Sequence, residues 1–331
     1  MHEVQRVGVL SAMAVRAGCR RGARVGHVRI CSFLPSATEI VAELGLVDSL
    51  VGVSDDCRWP PEVIGTPVVT AARIDPSSMS SLEIDVAVRS SVGDGRSLYT
   101  VDAELIDSLA PDVILTQDLC AVCAVSSGEL ASACPVDAEV VSLDPRTLAE
   151  VAETVRVLGS RLGAPERGGE LASRMLGTIE SVAASVHGLP KRRVFFAEWI
   201  EPPFCAGHWL PEMIELAGGV DVLGSAGRPS HPTSWDVVRA REPELVIVGP
   251  CGFDVDEAAE RAGEIEFWCP AVAVDGDAYY SRPAPRLADG VRQLAHLIHP
   301  NAAQDPGLPA IPLGLPTAVD APFANARLAN E

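Results

Sequence analysis

The first ordered pattern in the chain is a short apolar run, Val28-Arg29-Ile30-Cys31-Ser32-Phe33, which predicts a strand. Ser36-Ala37-Thr38-Glu39 follows with the spacing of a capping box, so a helix is expected to open there. The alternation continues with strands expected at 50–53, 67–69, 112–116 and 139–143, and a helix over about 102–110. From Thr147 to Leu162 the apolar residues Leu148, Val151, Val155 and Leu158 repeat at helical spacing until Gly163-Ala164-Pro165 interrupts them. Residues 165–187 hold no internal proline and predict one rod of roughly 35 Å. Past it, strands are expected at 191–196, 245–248 and 271–274, with helices over about 211–217, 234–240, 256–262 and 286–298. Strands alternating with helices make parallel sheets. After His299 the pattern gives way to Pro300, Pro306, Pro309, Pro312, Pro316 and Pro322 among small residues, which predicts a disordered tail.

Two echoes run through this pattern. Glu39-Ile40-Val41-Ala42-Glu43-Leu44-Gly45-Leu46-Val47-Asp48 aligns without a gap on Glu212-Met213-Ile214-Glu215-Leu216-Ala217-Gly218-Gly219-Val220-Asp221, each a short helix stopping at glycine. Pro111-Asp112-Val113-Ile114-Leu115 and Pro243-Glu244-Leu245-Val246-Ile247 both set a Pro-acid pair before a buried-type strand. Ordered, paired echoes predict two related α/β lobes, an arrangement that binds ligands between lobes. The expected organisation is a basic, poorly ordered leader over 1–27, an N-terminal α/β lobe over 28–164, a bridging helix over 165–189, a C-terminal α/β lobe over 190–300, and a Pro-rich disordered tail over 301–331.

Composition narrows the function. A chain of 331 residues with 47% hydrophobic content suits two ordinary domains with a sizeable core. A formal charge of -19 argues against nucleic-acid binding, which relies on Lys and Arg neutralising phosphates. No apolar run reaches the length of about 18 residues that predicts a membrane span. Residues 1–29 carry six Arg against one acid. Cys19 after Val15-Arg16-Ala17-Gly18 approaches a lipoprotein cleavage site, but Arg16 stands where an aliphatic residue belongs. Nine cysteines, an odd number that includes apolar-context residues such as Cys31 and Cys205, fit reduced thiols better than a disulfide framework. Together these lean towards the cytoplasm, with the cell envelope or periplasm as the alternative.

In open α/β sheets ligands gather at the carboxyl ends of strands, so the informative loops are Leu34–Ser36, Asp55–Pro61, Gln117–Ser127, Glu198–Trp209, Pro250–Phe253 and Asp275–Tyr280. Cys120 and Cys123 have the spacing of a shared metal or a redox pair, with Cys134, Cys205, His208 and Cys251 as further ligands if the loops converge. His208 offers an imidazole for a metal such as cobalt, or is a hydrogen-bonded loop histidine. Gly224-Ser225-Ala226-Gly227 lacks the lysine of a phosphate loop, and neither a serine nucleophile elbow nor a zinc-protease helix is present.

Leu34-Pro35-Ser36-Ala37-Thr38-Glu39-Ile40, Val51-Gly52-Val53-Ser54 with Trp59-Pro60-Pro61, Arg193-Val194-Phe195-Phe196 with Pro202-Pro203-Phe204, and Pro285-Arg286 together resemble the cobalamin-binding, substrate-binding component of ABC importers, over about residues 28–300. The resemblance implies two Rossmann-like lobes with central parallel sheets, joined by one long α-helix, with a corrinoid flat in the cleft between them and little hinge motion. It implies a non-catalytic monomer without enzymatic cofactor, whose ligand is cobalamin or cobinamide and whose partner is an ABC permease. By alignment Trp59 and Phe204 stand at aromatic pocket walls, and Asp277 where an acid accepts hydrogen bonds from corrin amides. An apolar macrocycle with polar rim amides suits such walls. Both aromatics have the alternative of packing within their lobes, and Asp277 that of a turn residue. Gln117 opens a loop where family members often carry a pocket tryptophan, a departure that leaves the ligand open. Glu104 and Asp236 match exposed acids that dock Arg pockets on the permease, or are ordinary first-turn acids. Two other readings stand beside the corrinoid: a siderophore or haem carrier of the same fold, and a metal or redox protein built on Cys120 and Cys123.

Overall fold

The computed structural model describes residues 28–119, 125–128, 130 and 138–314. The leader, the Cys120–Cys123 segment, Cys134 and the chain from 315 lie outside the described residues. Two compact α/β units divide the chain: one runs to Asp75 and resumes over Val88–Asp144, the other takes Pro76–Ala87 and everything from Pro145.

In the first unit β1 (Ile30–Ser32) leads through α1 (Pro35–Glu43) to β2 (Leu50–Val53). Then come β3 (Thr70–Ala72), α2 (Ser81–Gly93, whose residues as far as Ala87 belong to the second unit), β4 (Tyr99–Val101), α3 (Ala103–Leu109), β5 (Val113–Thr116) and β6 (Glu139–Ser142). The sheet order is β2-β1-β5-β6 with every pairing parallel, and β3 and β4 form a small antiparallel ladder. Cys31, Phe33, Ile106 and Ile114 pack in its core.

Three expectations change here. Pro35 occupies the first helical position of α1 with Leu34 as N-cap, so Ser36 lies inside the helix and no capping box forms. The strand expected at 67–69 falls at 70–72, with Val68 making only an isolated bridge to Val53. Helix α2 escaped the pattern because it has no clear buried stripe: of its residues Ser81 and Ile84 are buried, while Leu82, Val86 and Val92 are exposed.

The second unit opens with α4 (Leu148–Arg161) and α5 (Pro165–Ser185), then β7 (Arg192–Ile200), β8 (Pro203–Cys205), α6 (Leu210–Leu216) and β9 (Gly219–Asp221). It continues with β10 (His231–Pro232), α7 (Trp235–Ala240), β11 (Leu245–Val248), α8 (Val255–Ala262), β12 (Ala271–Val274), α9 (Gly276–Tyr279), α10 (Leu287–Ile298) and β13 (Ala310–Leu313). The sheet order is β10-β8-β7-β11-β12-β13, with β9 also on β7; β9, β7, β11 and β12 are parallel, the others antiparallel.

The long rod is real: α5 runs 21 residues without interruption and packs on α4, α6 and α10. Helix α4, expected in the N-terminal lobe, belongs to the second unit. Its stripe Leu148, Val151, Val155 and Leu158 is buried, and Gly159 lets the backbones meet, since a Cβ there would lie 2.8 Å from the Gly168 Cα. The tail expected to be disordered from 301 instead supplies β13, antiparallel to β12. Ile311 and Leu313 pack on α8, and Pro312 is tolerated because β13 ends the sheet path.

Both echoes fold into matching local structures. Gly45 (φ 69) and Gly218 (φ 88) terminate α1 and α6 in the left-handed conformation that only glycine adopts cheaply. The second echo is a closed circuit. The Arg29 guanidinium caps α3 through the Leu109 carbonyl (Nη2 2.6 Å, Nε 3.0 Å), while Asp112 accepts from the Arg29 amide (2.9 Å) and donates its own amide to the Arg29 carbonyl (2.8 Å). In the second unit Arg193 caps α7 through the carbonyls of Arg241 and Glu242 (Nε to the latter, 3.1 Å). Glu244 there accepts from the Arg193 amide and donates back, both at 2.8 Å. Ala110 (φ 44) and Glu242 (φ 48) make the same left-handed turn before the Pro-acid pair.

After β9, Asp221 folds the chain back: its Oδ1 accepts from the amides of Leu223 (2.9 Å) and Gly224 (2.5 Å). Its Oδ2 is buried without a hydrogen-bond partner. Burial pushes the carboxyl up to about 6, against the pull of the two amide bonds.

Replacing Arg29 with alanine strands the α3 carbonyls and is expected to cost about 1–2 kcal/mol in urea unfolding; an unchanged midpoint contradicts the capping role. For Asp221 the folded-state value lies above the unfolded one, so the folded protein holds the extra proton and stability falls as pH rises from about 4 to about 6. Asp221→Asn keeps the Oδ1 acceptor and loses the charge. Relative to the parent, its stability should gain about 2–3 kcal/mol between pH 4 and pH 7.5, read by thermal or urea unfolding, and a pH-independent difference overturns the assignment.

Candidate functional site

All four strands of the first sheet are parallel, so the loops after β1, β2, β5 and β6 leave its carboxyl edge together. The loop after β2 is anchored by Asp55, which accepts from Thr70 Oγ1 and the Ala72 amide, both at 2.7 Å. It is held again at buried Cys57, whose sulfur accepts from Thr38 Oγ1 at 3.0 Å. Trp59 follows on this braced loop with 41% of its surface exposed.

Gln117, buried at the end of β5, precedes a second brace. Asp118 accepts from the Ser127 amide (2.9 Å), Ser127 Oγ (2.8 Å) and Ser142 Oγ (2.9 Å), and its own amide donates to Asp144 at 2.6 Å. Burial would raise its carboxyl, but the hydrogen bonds from Ser127 and Ser142 outweigh that and hold it below the usual range.

In the second unit Phe204 sits in β8 between buried Pro203 and Cys205, so strand alternation turns its half-buried ring to the opposite face. The Cys205 thiol is pushed up to about 11 by burial and by the charge of Asp221. The chain then makes a rigid elbow. Gly207 donates to Glu198 Oε1 (2.7 Å), His208 donates its amide to the Arg228 carbonyl (2.7 Å), and the His208 carbonyl accepts from Gly227 (2.8 Å). A Cβ at Gly207 would meet the Ser230 nitrogen at 2.4 Å, so glycine is required for that approach.

His208 itself holds φ 48, with its ring 5.7 Å from that of Trp209, whose Nε1 donates to the Tyr280 carbonyl at 2.8 Å. Burial, and then the charge of Arg146, lower the His208 pKa, leaving a neutral imidazole at pH 7 with a ring nitrogen able to accept a hydrogen bond or bind a metal. Asp277, in the short helix after β12, pairs with Arg282 through both oxygens (Nε to Oδ1 3.0 Å); a carboxylate so engaged keeps lone pairs for further donors.

Trp59 and Gln117 thus share the carboxyl edge of the first sheet, Phe204 and His208 share one segment of the second unit, and Asp277 lies on a separate loop there. Glu104 and Asp236 are exposed in the first turns of α3 and α7, one residue into each helix after a capping Asp102 or Ser234. Cys120 and Cys123 lie outside the described residues, and among those described no group of three or more His, Cys, Asp and Glu side chains is placed to hold a metal ion.

The pattern passed over Glu198 and Asp118, the acids that brace the two loops. For Glu198 a signal existed: an acid inside the apolar run Phe195–Ile200 needs a buried partner. It also passed over a clasp in the second unit. Trp199 Nε1 donates to the Ser81 carbonyl (3.1 Å), Arg261 donates to the carbonyls of Met79 (3.0 Å) and Pro76 (3.3 Å), and the Phe253 ring lies between them, 5.6 Å from Trp199 and 4.1 Å from the Arg261 guanidinium.

Comparison with known proteins places this geometry. The family described as periplasmic binding protein matches residues 30–267. The vitamin B12-binding protein of Vibrio cholerae serotype O1 is 24% identical over 276 residues, covering 80% of this chain and 87% of that protein. An uncharacterised ABC transporter substrate-binding lipoprotein of Bacillus subtilis is 24% identical over 296 residues, covering 84% and 82%. The crystal structure of a periplasmic haem-binding protein from Pseudomonas aeruginosa shares the fold, with a TM-score of 0.65 at 18% identity over 87% of this chain and 99% of that one. With the matched family spanning most of its length, this chain belongs to the periplasmic binding proteins, a family of non-catalytic ligand carriers.

Proposed function

We propose that the protein binds a corrinoid, cobalamin or a precursor such as cobinamide, and delivers it to an ABC importer. The observation that carries this reading is the exposure of Trp59, 41% on a braced loop, the one aromatic among the described residues that is exposed. Phe33, Phe195, Phe196, Trp209 and Tyr280 are buried, and Phe204 is half-buried beside the His208 elbow. Flat, partly exposed rings suit an apolar macrocycle, and Gln117 and Asp277 bring the amide and carboxylate that its rim amides need. The B12-binding relative supports the same ligand class.

Haem or a ferric siderophore is the competing ligand, favoured by the haem-binding structural relative and by the neutral His208, which suits iron as well as cobalt. Glu104 and Asp236, at matching positions of duplicated helices, are proposed to dock the permease through its basic residues. The family and the lipoprotein relative lend no support to the cytoplasm; they fit the envelope location.

Titration with cyanocobalamin, dicyanocobinamide, haemin and ferric chelates, followed by tryptophan quenching, tests the ligand. Saturable quenching by a corrinoid at micromolar concentration is expected. Trp59→Ala and Phe204→Ala should each weaken it by about tenfold, the scale of one lost aromatic contact, with an unchanged circular dichroism spectrum. Quenching by haemin or a ferric chelate alone transfers the site to those ligands.

A further inference from the structure

The first unit carries a basic pocket that neither its core nor the ligand site proposed above uses. Residues from the ends of β3 and α2 and from the turn before β4 line it: Arg73, Ile74, Ser91, Arg96 and Ser97, around a volume of about 420 Å³. One water takes roughly 30 Å³ in the liquid, so there is room for a group larger than a simple ion. The end of α2 shapes one wall. The chain turns at Gly95 (φ 68), whose amide donates to the Val92 carbonyl at 3.0 Å, while the Arg96 amide donates to the Ser91 carbonyl at 2.8 Å. Asp94 donates to the Ser90 carbonyl at 3.0 Å. This return brings Arg96 and Ser97 back beside Ser91, and it occupies carbonyls that would otherwise repel an anion at a helix C-terminus.

Arg73 shapes the other wall. Its amide extends the β3–β4 ladder by donating to the Leu98 carbonyl at 2.8 Å, and its Nε donates to the Tyr99 carbonyl at 3.0 Å. The second bond fixes the plane of the guanidinium and leaves both Nη groups unspent. Among the described residues Arg73 makes no ion pair, on a chain with 45 acids and 26 bases. Arg96 pairs with Asp94 at 2.7 Å, but their side chains are 64% and 61% exposed, where an ion pair is worth little and is easily exchanged. Ser97 Oγ accepts from the Tyr99 amide at 3.2 Å, so its hydroxyl proton is free to donate, and Ser91 adds a second hydroxyl. A fixed guanidinium fork, a second guanidinium and two hydroxyls around one hollow are complementary to phosphoryl oxygens.

We propose that this pocket binds a phosphate group carrying a small organic substituent, with Arg73 as the anchor and Arg96 as a second cation that Asp94 holds in check. A soluble phosphate ester and the headgroup of an anionic phospholipid both offer that chemistry. None of these residues belongs to the ligand site proposed above, so the two stand or fall separately.

Glycerol 3-phosphate and inorganic phosphate are titrated into the full-length protein by calorimetry at low ionic strength, and the protein is co-sedimented with vesicles of phosphatidylglycerol or of phosphatidylcholine. Saturable binding is expected that Arg73→Gln weakens by about tenfold, the scale of a charge-assisted hydrogen bond, with Arg73→Lys intermediate. Asp94→Asn releases Arg96 and is expected to tighten binding by about two- to fivefold. Because Asp94 is exposed, that variant decides the matter should Arg73→Gln fail to fold. Binding of the soluble phosphates without a response to phosphatidylglycerol assigns the pocket to a free phosphate ester. Arg73-dependent sedimentation with phosphatidylglycerol, while phosphatidylcholine leaves the protein in solution, assigns it to a lipid headgroup. No saturable binding of any of them at millimolar concentration, or binding that a folded Arg73→Gln or Asp94→Asn leaves unchanged, overturns the proposal.

Discussion

The circuit that joins a central strand to the helix beside it is the constraint on which both units depend. A parallel strand buried on both faces is useful only if the preceding helix stops where its neighbour begins, with its last carbonyls satisfied. Arg29 and Arg193 meet that need in the same way, by capping α3 and α7 with the guanidinium while their own backbone groups pair with Asp112 and Glu244. The left-handed residues Ala110 and Glu242 turn each chain towards the Pro-acid pair that starts the next strand. Once these junctions are set, β1 pairs with β5 and β7 with β11 in parallel register, and the loops at their carboxyl ends are delivered to one edge of each sheet.

Those loops are stiffened by polar groups that take no apolar burial. Asp55 and Asp118 brace the loops of the first unit, Glu198 braces the elbow that carries His208, and Asp221 holds the turn after β9. Each acid is placed to accept from backbone amides, a bond geometry that fixes a loop more tightly than side-chain contacts alone. Asp221 carries the cost of this arrangement, since its second oxygen is buried without a partner and its carboxyl is pushed up to about 6. A binding protein gains from such bracing, because loops already ordered lose less conformational entropy when the ligand arrives. Trp59 in the first unit and Phe204 and His208 in the second are each carried on a segment braced in this way.

Much of the fold was legible along the chain. Strands β11 and β12 fall at the residues expected, and α5 runs unbroken through the proline-free stretch. The echo around Gly45 and Gly218 reports a local requirement, a left-handed helix end, that a short sequence carries by itself. What escaped were elements whose signal is not local. Helix α2 has no apolar stripe, and its anchors Trp199 and Arg261 stand more than a hundred residues away. Strand β13 hides among prolines and exists because β12 offers an open edge and α8 a surface for Ile311 and Leu313.

The sequence by itself determined the element types and the duplicated helix ends, because these depend on neighbours within a few positions. Tertiary structure alone decided that α4 belongs with α5 and that Asp118 and Glu198 hold the loops. The physical reason is the same in each case. Burial, charge and hydrogen-bond satisfaction are set by groups that meet only after folding, and no spacing along the chain encodes which of them will meet.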